Sequence, residues 1–178
     1  MNKKYFIVFL KCIGIQILFS IASIVFFMNI ISPVLYSIFT AWLLIWALHS
    51  IFWTLGNREG KMIVIHNNNL KTGDTKKKKK IFKGALIALP FLLVNIMFLL
   101  LTYFTNNDIL VFIETFLTFS FSGFLPTLKN DLDMQYLISH LLVCFAMYIP
   151  CVTAYISGLY KFSLLDKYYR KILYRSSK

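Results

Sequence analysis

The run ALIALPFLLVNIMFLLLTYF, residues 85–104, decides what kind of protein this is. It contains no charged side chain, and a helix of about twenty residues is long enough to cross the ~30 Å hydrocarbon core of a bilayer. Outward from this run, the stretches at about 5–30, 34–55 and 134–160 are also long and apolar. We therefore predict an all-α polytopic membrane protein whose four transmembrane helices form two hairpins, with the third helix at 84–104.

The composition of the whole chain supports the same class. Of its 178 residues, 58% are hydrophobic and only 15% are charged, and the mean hydropathy is +0.69. Soluble domains carry about 25% charged residues, so soluble enzyme folds and disordered tails are excluded. The three cysteines lie inside apolar runs, which argues against a disulfide framework and a CxxC metal site. We find no catalytic motif, and we predict a non-enzymatic protein without a cofactor.

The distribution of basic residues predicts the orientation. Lys and Arg outnumber Asp and Glu by 19 to 7, and four spans would place nearly all of these basic residues on one side. The positive-inside rule makes that side cytoplasmic, so both termini and a loop at 56–83 are expected in the cytoplasm, beneath the cell membrane. This loop includes a short β-like run at 62–66. In a soluble protein such an excess of positive charge would suggest binding to nucleic acid. Here the basic residues lie at helix ends, which indicates contact with anionic lipid.

The segment at 109–125 is mostly apolar but carries several polar side chains on one face. This pattern predicts an amphipathic helix on the outer side, which lies in the interface or dips into the membrane and returns. A fifth span there is disfavoured, because it would turn the basic tail outward. Glu114 is the only carboxylate in an apolar run, which makes it a candidate functional acid. Its place on the hydrophilic face favours plain solvation by water.

Two basic segments are expected at the cytoplasmic surface. A capping box that starts at Ser163 predicts a tail helix over 164–176, with one basic and one apolar face on the inner leaflet. The alternative role of this helix is a docking surface for a cytoplasmic partner. Together with a run of five lysines, it supplies the residues predicted to contact anionic lipid: Lys76, Lys77, Lys78, Lys79, Lys80, Lys167, Arg170, Lys171 and Arg175.

Two of the predicted helices carry polar or small residues in a stripe. Such stripes let a neighbouring membrane helix approach closely and form hydrogen bonds, so we interpret both as packing faces. The alternative for the first helix is the lining of a substrate path. The stripes consist of Cys12, Gln16, Ser20 and Ser23 on the first helix, and of His140, Cys144, Met147 and Cys151 on the fourth. The fourth-helix stripe contains soft ligands that suit Cu(I), but only Cys12 could match them from another helix, so we predict no metal.

The second predicted helix has two opposed faces. One is a face of small residues that is expected to meet the first or fourth helix: Ser37, Thr40, Ala41 and Ala47. The other is expected to face lipid or a partner subunit, with cation–π ligand binding as the alternative: Trp42, Trp46, His49 and Trp53.

The segment WTLGNREG at 53–60, and a closing segment from Tyr155 to Lys171, resemble those of small uncharacterised four-helix membrane proteins of Gram-positive bacteria. The resemblance implies a bacterial cell membrane and no particular activity. We predict an accessory, immunity or transporter-associated subunit, with another membrane protein or a second copy as partner. The alternative is a small transport or ligand-binding protein that uses the polar faces of the first and fourth helices.

Overall fold

The computed structural model describes residues 3–27, 33–68, 80–125 and 134–160, which are nearly all helical and include no strand. The helices in these ranges are α1 (Lys3–Phe27), α2 (Pro33–Asn68), α3 (Lys83–Thr105), α4 (Asp108–Thr118) and α5 (Met134–Tyr160), with a 3₁₀ turn at Phe119–Phe121. All but α4 are long and apolar enough to cross a membrane. The prediction of an all-helical chain with four span-length helices is therefore confirmed, and α5 is the fourth of them.

Helix α2 is longer than the sequence pattern suggested. The sequence pattern predicts an end near residue 55, a loop from residue 56 and a β-like run at 62–66. All three predictions are wrong over residues 56–68, which are helical. The helix continues to Asn68, and its 36 residues make it about 54 Å long at 1.5 Å per residue. β-branched residues disfavour a helix only weakly, so packing overrides their preference. Gly56 is a contact point for a neighbouring helix and does not begin a turn.

The backbones of α2 and α5 touch where their glycines meet. Gly56 lies against the carbonyl of Tyr155, and Gly158 lies against the carbonyl of Trp53. A Cβ atom at either glycine would overlap the facing carbonyl oxygen, so the close approach requires glycine. The most extensive helix packing joins α2 to α5, while α3 packs on α5 and α1 contacts both α2 and α3. The main contact therefore joins helices from different predicted hairpins.

Polar side chains are buried in the bundle, and large apolar side chains cover its outside. The apolar part of the interior includes Leu48, Phe91 and Met147. It is accompanied by buried polar residues: Gln16, Ser20, Ser23, Ser37, Thr40, Asn95, Thr102, Glu114, Thr118, Ser120 and His140. The exposed apolar residues include Leu18, Leu35, Trp42, Leu86 and Phe104. Such an exterior would promote aggregation in water and suits a surrounding of lipid, as expected for a membrane protein.

Several predicted features lie outside the described residues. These are the last residues of the first predicted helix, at 28–30, and the tail helix at 164–176 with Lys167, Arg170, Lys171 and Arg175. Four of the five lysines also lie outside: Lys76, Lys77, Lys78 and Lys79. Lys80 is described and exposed, just before α3.

Candidate functional site: a buried polar network around α4

The turn between α3 and α4 returns the chain against the bundle. Asn106 takes a left-handed conformation with φ 45°, and its N–H donates to the carbonyl of Thr102, which ends α3. Asn107 then caps α4, because its side chain accepts the N–H of Ile109 at 3.0 Å. Asparagine tolerates the left-handed region and is also a good N-cap residue, so an Asn-Asn pair suits both positions.

Helix α4 has its polar face inside and its apolar face outside. Ile109 and Phe112 are 69% and 71% exposed, whereas Glu114 and Thr118 are each 3% exposed. The expectation that water solvates Glu114 was therefore wrong. The bundle offers hydrogen-bond partners to the polar face, and an apolar outer face is compatible with hydrocarbon. Where α4 lies relative to the membrane surface stays a prediction.

Glu114 contacts two side chains of α5. The Tyr136 hydroxyl donates to Oε2 of Glu114 at 2.5 Å, and His140 Nε2 lies 3.4 Å from the same oxygen. On its other side, His140 Nδ1 is 3.0 Å from the carbonyl oxygen of Tyr136, and the two rings stack with centroids 3.9 Å apart. Burial raises the pKa of Glu114 to about 7, although the hydrogen bond from Tyr136 opposes this rise. A carboxyl with that pKa can gain or lose a proton near neutral pH.

A second set of hydrogen bonds joins α1 and α3 to the end of α4. Gln16 Nε2 donates to Asn95 Oδ1 at 2.7 Å and to the carbonyl oxygen of Leu117 at 3.1 Å. Asn95 Nδ2 donates in turn to the carbonyl oxygen of Phe91 at 2.9 Å. Gln16 Oε1 is buried and has no hydrogen-bond partner within the described ranges. Gln16, in the stripe predicted on the first helix, therefore faces α3 and α4.

Hydroxyl groups of α1 and α2 hold the 3₁₀ turn that follows α4. The hydroxyls of Ser23 and Ser120 are 3.1 Å apart, and Thr40 Oγ1 donates to the carbonyl of Ser120 at 3.0 Å. The N–H of Gly123 donates to Ser37 Oγ at 2.7 Å. Serine and threonine bonds of this kind satisfy polar backbone groups that lack water. They attach the turn and Gly123 to α1 and α2.

The stripe predicted on α5 has two parts. His140 belongs to the contact with α4, and Cys144 lies beside it with 3% exposure. Met147 and Cys151 are fully buried in the apolar core, close to Cys12 of α1. All three cysteines are free thiols. Among the residues that the structure describes, no group of three His, Cys, Asp or Glu side chains could hold a metal ion.

The two predicted faces of the second helix differ in exposure along α2. Three of the small residues are buried: Ser37, Thr40 and Ala41. Trp42 and Trp46 are each 60% exposed. Partial burial is found at Ala47, His49 and Trp53. The side that bears Trp42 and Trp46 is thus available to lipid or to another protein.

An ion pair near the other end of the bundle connects four helices. Lys83 Nζ lies 2.9 and 2.8 Å from the two carboxylate oxygens of Glu59. The hydroxyls of Tyr155 and Tyr5 donate to the same carboxylate at 2.8 and 3.3 Å. The Lys83 ammonium also lies 5.1 Å from the centroid of the Tyr5 ring, a cation–π distance. We call these four residues the Glu59 cluster.

Sequence reasoning missed the Glu59 cluster because it placed Glu59 in a loop. One signal could have revealed the continuing helix: apolar or small residues recur every four residues, at Leu48, Phe52, Gly56 and Gly60. That spacing keeps one face of a helix in contact with a neighbour. Glu59 lies beside this face and reaches the ends of three other helices.

No protein-family model, curated protein or solved structure matches this chain. Two features of the site carry chemistry of their own. The first is the buried contact of Glu114 with Tyr136 and His140. The second is the network around Gln16, which joins three helices.

Proposed function

We propose that the protein crosses the cell membrane four times and works without catalysis, as an accessory, immunity or transporter-associated subunit. The observation that carries this proposal is a lateral apolar groove between α2 and α5, which we call the α2–α5 groove. It encloses about 480 Å³ and is lined by Ile38, Trp42, Phe121, Phe124, Leu142 and Ala146, among others. The groove opens from the side of the bundle, where a membrane partner would approach.

The lining of the α2–α5 groove suits an apolar transmembrane helix. Among the described residues that line it, none is charged, so burying the groove against a charged or strongly polar partner would leave that partner's polar groups unpaired. Its small residues Ala41, Ser139 and Ala146 allow a second helix to approach closely. Trp42, at 60% exposure, supplies a large aromatic edge for contact. We therefore propose that a transmembrane helix of a partner protein occupies the groove.

The proposed orientation is supported by the Glu59 cluster. Tyr5 is near the start of α1, Lys83 starts α3, and Glu59 and Tyr155 lie in the final parts of α2 and α5. These ends can meet only if successive spans run in alternating directions. Further exposed basic residues lie near this end: Arg58, Lys61 and Lys80. The positive-inside rule then favours a cytoplasmic location for it, with anionic lipid close by.

Photo-crosslinking from the groove tests the proposed partner. A photoreactive residue at Leu142, which lines the groove and is 64% exposed, is expected to form an adduct of defined mass with one membrane protein. The matched position is Leu93 on α3, which is 54% exposed and lies outside the groove. We expect a much lower adduct yield there, because a probe at Leu93 does not face the partner helix.

A groove-filling variant makes this experiment decisive. Ser139→Phe should reduce the Leu142 adduct as strongly as moving the probe does, because the larger ring occupies the space of the partner helix. Leu93→Phe should leave the Leu142 adduct unchanged. Equal adduct yields from probes at Leu142 and Leu93 would overturn the proposal. So would a Leu142 adduct yield that Ser139→Phe does not reduce.

One observation favours a second candidate, a small transport or ligand-binding protein. Gln16 Oε1 is a buried acceptor without a described partner, and it lies in the same polar region as α4. A substrate path along the polar faces of α1 and α5 would use such a group. For that function, Ser139→Phe should have no effect, since Ser139 lines the lateral groove.

A further inference from the structure

We propose that Glu114 and His140 form a proton-binding site, which holds one exchangeable proton between Glu114 Oε2 and His140 Nε2 and so joins α4 to α5. The ligand is a proton drawn from water. This site is independent of the partner helix proposed above, because neither residue lines the α2–α5 groove. The groove experiment and the proton experiment can therefore fail separately.

The position of the proton follows from the hydrogen bonds of the imidazole. His140 Nδ1 lies 3.0 Å from the carbonyl oxygen of Tyr136, which can only accept a hydrogen bond, so Nδ1 carries the hydrogen. In a neutral imidazole, Nε2 then has a lone pair and no hydrogen. This lone pair faces Glu114 Oε2 at 3.4 Å. Two acceptors would face each other there unless a proton lies on one of them.

The burial of both groups limits the site to one proton over a wide range. Each side chain is 3% exposed. With one proton the pair is neutral overall, either as acid and imidazole or as carboxylate and imidazolium. With no proton the pair is an anion, and with two it is a cation; an unpaired buried charge of either sign is strongly destabilising. The hydrogen bond from the Tyr136 hydroxyl partly stabilises a Glu114 carboxylate. Losing the one proton is therefore easier for the pair than gaining a second.

Within the part of the chain that the structure describes, the titratable groups that face Glu114 come from α5. They are Tyr136, His140 and Cys144. From α1 and α3, the described side chains that bond to α4 are uncharged: Gln16, Ser20 and Thr102. The exchangeable proton thus belongs to the pair of Glu114 and His140.

The sign of the pH dependence follows from the raised pKa of Glu114. Burial lifts this pKa from 4.5 to about 7, so between these values the carboxyl of Glu114 binds more protons in the folded protein than in the unfolded chain. The stabilising effect of the proton is fully present below pH 4.5 and is lost as the pH rises through about 7. The contact between α4 and α5 should therefore loosen on the alkaline side.

Infrared spectroscopy of the full chain in lipid nanodiscs tests the site. The carbonyl band of a protonated carboxyl should titrate with a midpoint near pH 7 in the wild type, and Glu114→Gln should remove it. Tyr136→Phe removes a hydrogen bond to the carboxylate and should raise the midpoint by about one pH unit. A wild-type spectrum without a titrating band, or a band that persists in Glu114→Gln, would overturn the proposal.

Hydrogen exchange reports whether the proton joins the two helices. After correction for intrinsic rates, protection of the α4 amides relative to those of α3 should fall about threefold between pH 6 and pH 8.5 in the wild type, because His140 also binds a proton at pH 6 once the contact is open. In Glu114→Gln the protection should not fall as the pH rises, because an amide donates to Nε2 and accepts from Tyr136 at every pH. Wild-type protection that is independent of pH would contradict the link. If Glu114→Gln does not fold, the midpoint in Tyr136→Phe decides.

Discussion

Gly158→Ala is expected to prevent most of the protein from folding, although it adds only one methyl group. The new Cβ would overlap the carbonyl oxygen of Trp53 and press on the N–H of Asn57, and neither backbone group can turn away. Overpacking costs 1–3 kcal/mol when side chains can adjust, so we expect a loss of about 3 kcal/mol or more here. Thermal unfolding of the purified protein in detergent, and the yield of monodisperse protein, measure the effect.

The same substitution at Gly14 is the matched control. A Cβ at Gly14 has no atom within 4 Å, and the residue is exposed on α1. Gly14→Ala should raise stability by about 0.5–1 kcal/mol, because alanine favours a helix over glycine. If Gly158→Ala were as stable as Gly14→Ala, the result would contradict the close backbone contact between α2 and α5.

Ser20→Leu is expected to have the second largest effect. Ser20 is fully buried, and its hydroxyl donates to the carbonyls of Gln16 at 2.9 Å and Leu117 at 3.4 Å. Leucine would lose these bonds and force a larger side chain between α1 and α4, for a combined loss of about 2–4 kcal/mol. Protection of α4 amides from hydrogen exchange should fall before the rest of the bundle loosens.

Val25→Leu on the same helix is the control for Ser20→Leu. Val25 is 58% exposed, so one added methylene points away from the bundle. The unfolding temperature and the hydrogen-exchange pattern of Val25→Leu should match those of the wild type. Equal tolerance of both substitutions would contradict the packing role of the first-helix stripe and would favour a path for substrate or water.

The span helices could be predicted from the sequence because their boundaries follow from local composition. Apolar residues at 134–160 are bounded by charged residues on both sides, and α5 has these same ends. The prediction of 84–104 differs from α3 by one residue at each end. The end of α2 depends instead on its contact with α5, a hundred residues later in the chain. A hydrophilic stretch with two glycines looks like a loop when that contact is unknown.

The orientation of Glu114 could not be predicted for a different reason. Periodicity shows that Glu114 and Thr118 share a face of α4, and the structure agrees. It does not show whether that face meets water or protein, because the pattern is the same in both cases. The decisive partners, Tyr136 and His140, follow a connection whose course the sequence does not specify. The Glu59 cluster was missed for the same reason as the end of α2.

Cysteine labelling in intact cells is the most direct test of the four-span account. Lys61 lies on the exposed side of α2 near the Glu59 cluster, and Asn107 lies exposed at the turn between α3 and α4. The native cysteines are buried, so an introduced cysteine gives the main signal. A membrane-impermeant maleimide should label Asn107→Cys in intact cells and Lys61→Cys only after the membrane is permeabilised. Labelling of Lys61→Cys in intact cells, or equal labelling of both variants, would contradict the account.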